Sequence, residues 1–133
     1  MFTTDPASFP WSRVELEKTV RWDGIRGPLA RKSLRAILPG DRIWGYHSSP
    51  EKSIVCLARA AGHAYPDPAD PKWFAIDVTF DQWVKTPISL SALRTHSVLS
   101  SMDFLRIPRL SVAGLSQRQD AVLSELAIGG DRT

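Results

Sequence analysis

The chain has 133 residues, 43% of them hydrophobic and 23% charged, with a formal net charge of +3; that is enough for one compact domain with its own core and too little for two. No run of about 18 apolar residues is present, and the opening "MFTTDPASFP" has neither a basic start nor a long apolar segment, so the sequence predicts no membrane span, no secretory signal and a cytosolic protein. Cys56 is the single cysteine and sits in the apolar run "SIVCLARA", which excludes an internal disulfide and a thiolate metal cluster and reads as a buried small hydrophobe.

In chain order, Ser12 and Glu15 in "SFPWSRVELEK" stand at capping-box spacing and predict a short helix from Arg13 to about Lys18. Pro28 suits the first turn of a second helix, "PLARKSLRAIL", in which Ala30, Leu34 and Ile37 form one buried stripe and Arg31 and Arg35 share the exposed face beside Lys32. Pro39-Gly40-Asp41 ends it and leads into a strand, "RIWGYHS". "SIVCLARAAGHAY" predicts a further strand with a bend near Ala60 to Gly62, and "YPDPADPKW" a loop held stiff by proline torsions. Phe74, Ile76, Val78 and Phe80 alternate along "KWFAIDVTFDQW" as on a half-buried strand. "ISLSALRTH" reads as a short helix, "RLSVAGL" as a last strand and "SQRQDAVLSELAI" as a terminal helix with a Ser116–Gln119 capping box, before a fraying "GGDRT". About five strands and three or four short helices without a βαβ rhythm predict an α+β fold on a small curved sheet or open barrel.

Catalytic signatures are missing from this pattern. His47, His63 and His96 are far apart in sequence and lack any HExxH, CxxC or GxSxG companion, and there is no glycine loop to cradle phosphate. Asp67 and Asp70, between prolines, read as turn formers rather than metal ligands. Charge and aromatic placement are more informative. Between Arg21 and Arg42 stand six cations, including Arg26, Arg31, Lys32 and Arg35, against two acids, Asp23 and Asp41, a local positive field of the kind that attracts phosphates. Trp22, flanked by Arg21 and the turn Asp23-Gly24, reads as a displayed indole, Tyr46-His47-Ser48 ends a strand, and Tyr65 and Trp73 bracket the proline loop. Trp44 and Trp83 read as core rings.

Taken together, "WDGIRGPLARKSLRAILPGDRIWGYHSS", "AYPDP", "KWFAIDVTF", "PISLSAL" and "RLSV", in this order, resemble the EVE domain of the PUA-like superfamily, over about Phe2 to Ile128. The resemblance implies a PUA-like curved sheet or open pseudo-barrel of five to six strands. It also implies a non-catalytic reader, without cofactor, of a modified base in DNA or RNA, modified cytosine above all, working with a separately encoded nuclease or modification system. In that reading Trp22 is one wall of a base pocket and Tyr65 or Trp73 the other. Asp23, Gly24, Ile25, Tyr46, His47 and Ser48 complete it, together with Thr4 and Asp5 of a turn that stands where the family has its "SEP"-like turn. Arg26, Arg31, Lys32 and Arg35 track the phosphates. Two departures from the family pattern carry expectations of their own: the chain opens directly at Met1-Phe2, so that either the first strand is shortened, exposing a sheet edge, or the true start lies upstream, and Gly27-Pro28 stands where the family commonly has "NY", removing a side-chain amide. A PUA-like RNA-binding module indifferent to modification, which the resemblance also allows, and a small-molecule enzyme or sensor using Asp23 and His47 stand as alternatives.

Overall fold

Strand β6, Asp70–Ser89, is the spine of the fold seen in a computed structural model that describes residues 1–25, 27–107 and 110–127. Around it the chain runs β1 (Phe2–Thr4), α1 (Trp11–Glu17), β2 (Thr19–Ile25), α2 (Pro28–Arg35), β3 (Arg42–His47), β4 (Ser53–Ala60) and β5 (Tyr65–Asp67), and after β6 come α3 (Leu90–Thr95), α4 (Asp103–Arg106) and α5 (Gln117–Ala127). The six strands form one mixed sheet in the order β1-β3-β4-β6-β2, with β5 also on β6. Only β1 and β3 are parallel, pairing Phe2 with Gly45 and Thr4 with His47. Being twenty residues long, β6 lends its first half to β2 and β5 and its second to β4. β1 and β2 are therefore the two ends of this order, and no strand pairing joins them among the described residues.

Two apolar clusters follow from side-chain alternation along these strands. One face carries Val20, Trp22, Ile43, Cys56, Ile76 and Val78 under α1 and α2, and the other carries Trp44, Tyr46, Ile54, Leu57 and Val84 under α3 and α5. A bulge places both Val55 and Cys56 on the first face while Ile54 and Leu57 keep to the second. Burial of Cys56 pushes its thiol well above the ordinary range, so it is inert packing.

Most predicted elements are present, and the differences have physical causes. Helix α2 begins at Pro28 and buries Ala30 and Leu34, with Ile37 half-buried just beyond its end. The Ser116–Gln119 box closes reciprocally, Gln119 N donating to Ser116 Oγ at 3.0 Å and Ser116 N to Gln119 Oε1 at 2.9 Å. The other box does not form: α1 starts at Trp11 with Pro10 as its cap residue, which puts Ser12 inside the first turn. "YPDPADPKW" is not a loop but the β5–β6 hairpin, turned by Asp67 and Asp70, whose Oδ1 atoms accept the N–H groups of Ala69 and Lys72. The expected last strand reduces to one bridge, Val112 to Phe2, which nevertheless covers the outer edge of the three-residue β1. Thr3 N donates to Ser111 O and Ala113 N to Met1 O, so the outer edge of β1 is not left bare. Helix α4, a single turn, is too short to leave a periodic signal. Among the described residues no helix is long and apolar enough to cross a membrane. The expected fraying at "GGDRT" lies outside the described residues.

Candidate nucleic-acid interface

The two end strands of the sheet meet through rings rather than through backbone. Phe2 on β1 and Trp22 on β2 are 5.2 Å apart, centroid to centroid, and the connection between the strands supplies Phe9 and Trp11. Trp11 stacks on Trp22 at 4.9 Å and 24°, and Phe9 stands edge-on to it at 5.2 Å and 76°. Such pairs contribute about 0.5–1.5 kcal/mol each beyond their buried area, so this cluster joins the two end strands where hydrogen bonds do not. Trp22 is accordingly buried, only 7% exposed, which corrects the expectation of a displayed indole. Polar flanks do not mark a displayed ring here: Arg21 and Asp23 alternate onto the opposite face of β2, where they pair at 3.2 Å.

The seam has a polar rim. Thr4 Oγ1 donates to Phe9 O at 2.8 Å, Phe9 N and Ser8 N donate to Asp5 O, and Asp5 Oδ1 accepts Ala7 N at 2.9 Å, so residues 4 to 9 form a self-bonded turn that carries the Phe9 ring. Ser48 N donates to Thr4 O at 2.9 Å. His47, 6% exposed, accepts the Trp11 N–H on Nε2 at 3.0 Å, supplying the cap that Pro10 lacks. Its Nδ1 lies 2.7 Å from Glu51 Oε1. This is a structural assignment for His47, not that of a displayed acid or base. Trp11 Nε1 is buried and has no hydrogen-bond partner among the described residues.

The structure thus brings Thr4, Asp5, Trp22, Ile25, His47 and Ser48 together, and it separates Tyr46, Tyr65 and Trp73 from them. Ile25 is in the same apolar cluster as Trp22, on the far side of a register shift that falls on Asp23 and Gly24, so the Asp-Gly pair makes a β-bulge rather than a free turn. Tyr65 and Trp73 alternate onto the face of β5–β6 opposite to Ile76, the partner of Trp22, and neither is the second wall beside it. Tyr65 donates its hydroxyl to Asp77 Oδ1 at 2.5 Å; burial and that carboxylate push its pKa up to about 12. Half-buried Trp73 has the Lys72 ammonium 5.9 Å from its ring. Tyr46 belongs to the second cluster, edge-on to Phe104 at 4.7 Å. Trp44 is fully buried as expected, but Trp83 is not a core ring: it is 39% exposed and donates Nε1 to Glu15 Oε2 at 2.9 Å.

The cations fare better. Arg31, Lys32 and Arg35 line one open surface hollow of about 380 Å³ with Pro28 and Ala36. Arg35 is steadied over the Phe74 ring at 4.8 Å, while Arg31 and Lys32 make no ion pair among the described residues. Arg26, expected to join them, lies outside the described residues. Sequence reasoning missed Phe2, Phe9 and Trp11; the one signal available was the pair of aromatics flanking Pro10. No three His, Cys, Asp or Glu residues gather into a metal-holding group among the described residues.

An open mixed sheet with short helices on both faces, its edge strands joined by an aromatic seam beside a basic helix, is the architecture of a PUA-like α+β module. The EVE domain matches residues 1–126, and the chain belongs to that family. It is 33% identical over 138 aligned positions to thymocyte nuclear protein 1 of Mus musculus, covering 84% of this chain and 61% of that protein, and 31% identical to its counterpart in Gallus gallus, covering 84% and 57%. The chain thus spans about three-fifths of the length of these curated relatives. Among solved structures, a Rhodopseudomonas palustris protein superposes with a TM-score of 0.91 at 28% identity, covering all of this chain and 94% of its own. Human THYN1 in complex with 5-methylcytosine-containing DNA superposes at 0.85 with 24% identity, covering 96% and 95%, which shows a shared fold. The cytosolic expectation is corrected by the curated relatives, which are nuclear proteins by name.

Proposed function

We propose that this chain is a non-catalytic reader of a modified base, modified cytosine in DNA first, which it holds at the aromatic seam between β1 and β2. The observation that carries this reading is the cluster itself: four rings from both sheet edges converge where no backbone pairing closes the barrel. Membership of the EVE family and the shared fold of human THYN1, whose structure holds 5-methylcytosine DNA, support it. Phe9 is half-buried and rides on the Thr4–Asp5 turn, so it is the ring that moves aside to open a face of Trp22. Stacking a base there returns about 1–3 kcal/mol, comparable with the cost of extruding it. The unpartnered Trp11 Nε1 is a buried donor for a base acceptor. Arg31, Lys32 and Arg35 hold the neighbouring phosphates, which position the strand without reading it.

One extra methyl enclosed in the seam contributes about 0.8 kcal/mol, a preference of about fourfold. A tryptophan-fluorescence titration with oligonucleotides containing cytosine, 5-methylcytosine, 5-hydroxymethylcytosine or N6-methyladenine tests this. The preference for one modified base is expected to vanish in Trp22→Phe, checked for an intact melting transition. Equal affinity of the unsubstituted protein for modified and unmodified strands overturns the reading. Replacing Arg31 and Lys32 by Gln is expected to flatten the logarithmic salt dependence by about 1.8 on duplex DNA; an unchanged slope removes α2 from the phosphate track.

A further inference from the structure

A second concavity lies beyond the seam. A groove of about 500 Å³ runs between the C-terminal end of α2, the start of β3 and the segment entering α5, within the size range of small-ligand sites. Phe2 and Ile43 form part of its apolar wall, and Asp41, Arg42, Arg59 and Asp120 its polar one.

Its electrostatics differ from those of the α2 hollow. Arg42 is held by both carboxylate oxygens of Asp120, which also accepts Trp44 Nε1 at 2.9 Å. Arg59 donates to Asp81 at 3.2 Å and to the Gly40 carbonyl at 3.3 Å. Paired cations leave the groove close to neutral, so it is a poor phosphate site. It does present guanidinium donors and carboxylate acceptors around an apolar wall, which is the complement of a flat, uncharged heterocycle with a hydrogen-bonding edge.

Position says which heterocycle. The groove and the basic hollow share Ala36, so one begins where the other ends. Phe2 lines the groove and touches the Trp22 ring at 5.2 Å. A strand whose phosphates lie on α2 therefore meets this groove at the end of that track. We infer that the groove receives the base of a neighbouring nucleotide on the same strand, so that the protein reads sequence context as well as modification; this rests on the reading proposed above.

Gly114 provides a clean test, since it lines the groove, is exposed, and has nothing within 4 Å of where a Cβ would stand. Short single strands carrying one 5-methylcytosine, with each flanking nucleotide in turn replaced by an abasic unit, are titrated into the unsubstituted protein and into Gly114→Phe. One flank is expected to matter by about tenfold, the size of one good base contact. Gly114→Phe should bind the intact strand about tenfold more weakly and be insensitive to the abasic unit, with its ratio of modified to unmodified affinity unchanged. Arg59→Met should alter which base is preferred at that flank. If abasic units on either side leave affinity unchanged, or Gly114→Phe binds like the unsubstituted protein, the groove does not hold a base, although a retained methyl preference leaves the reader intact. Loss of both preferences in the unsubstituted protein overturns reader and groove together.

Discussion

Gly45→Ala should destabilise this protein through the seam. Gly45 lies within β3, where a Cβ would stand 2.5 Å from Cys56 Sγ, 2.5 Å from Trp11 Cε2 and 2.8 Å from Trp11 Cδ2. Ordinary carbon contacts are about 3.5–4.0 Å, so something must move by roughly an ångström. Cys56 and Trp11 are both fully buried, and Trp11 is fixed twice over, by its stack on Trp22 and by its N–H bond to His47. Overpacking of this kind costs about 1–3 kcal/mol, partly offset by about 0.5–1 kcal/mol from relieving the entropy of a mid-strand glycine. A net loss of about 1–2 kcal/mol lowers the melting temperature of a chain this size by roughly 4–8 °C. Thermal unfolding followed by circular dichroism, with the near-ultraviolet signal of the stacked indoles recorded alongside, measures both consequences. Gly114→Ala is the control, neutral because nothing opposes its Cβ. A Gly45→Ala protein that melts at or above the parent temperature would refute the argument that Trp11 is pinned against this strand.

Asp120 should make part of the stability acid-sensitive. Burial works to raise its pKa, but hydrogen bonds from Arg42 and Trp44 and the Arg42 charge outweigh it, leaving the group below its ordinary 3.8. Because the folded value is depressed, the contribution is fully present above the unfolded pKa and is lost as pH falls through the folded one. Melting curves between pH 6 and 2 should show a loss below about pH 4 that is smaller in Asp120→Asn; identical acid limbs would rule the pair out as a latch on α5. Tyr65 gives the opposite sign. Raised to about 12, its contribution is complete below pH 10 and disappears as pH climbs toward 12. Burial also raises Tyr46, so an absorbance titration should find both tyrosines ionising late, with only the Tyr65 step moving earlier in Asp77→Asn; an unchanged titration in that variant would break the assigned hydrogen bond.

How much was legible in the sequence depended on the range of the interaction. Local rules placed α2 from Pro28, closed the Ser116–Gln119 box and put Phe74, Ile76, Val78 and Phe80 on one side of β6. Each of those features needs only neighbours a few residues away. Asp67 and Asp70 likewise turn the hairpin through their own following amides. The same local reading made a stiff loop of "YPDPADPKW", because the hairpin is defined by pairing to Phe74 and Ala75, not by its proline torsions.

The ordered motifs from "WDGIRG" to "RLSV" also fixed the family and the clustering of cations on α2. Tertiary structure decided where the rings point. Trp22 and Tyr65 are each beside charged or proline-rich sequence, yet they face opposite sides of one sheet, because a single bulge or register choice inverts a strand's faces. Phe2 and Trp22 meet only because the sheet curls until its edges touch, and His47 reaches across from β3 to cap α1. Composition and periodicity determine which residues are fit to bind or to be buried; the curvature of the sheet, a sum of pairings distant in sequence, determines which of them share a site.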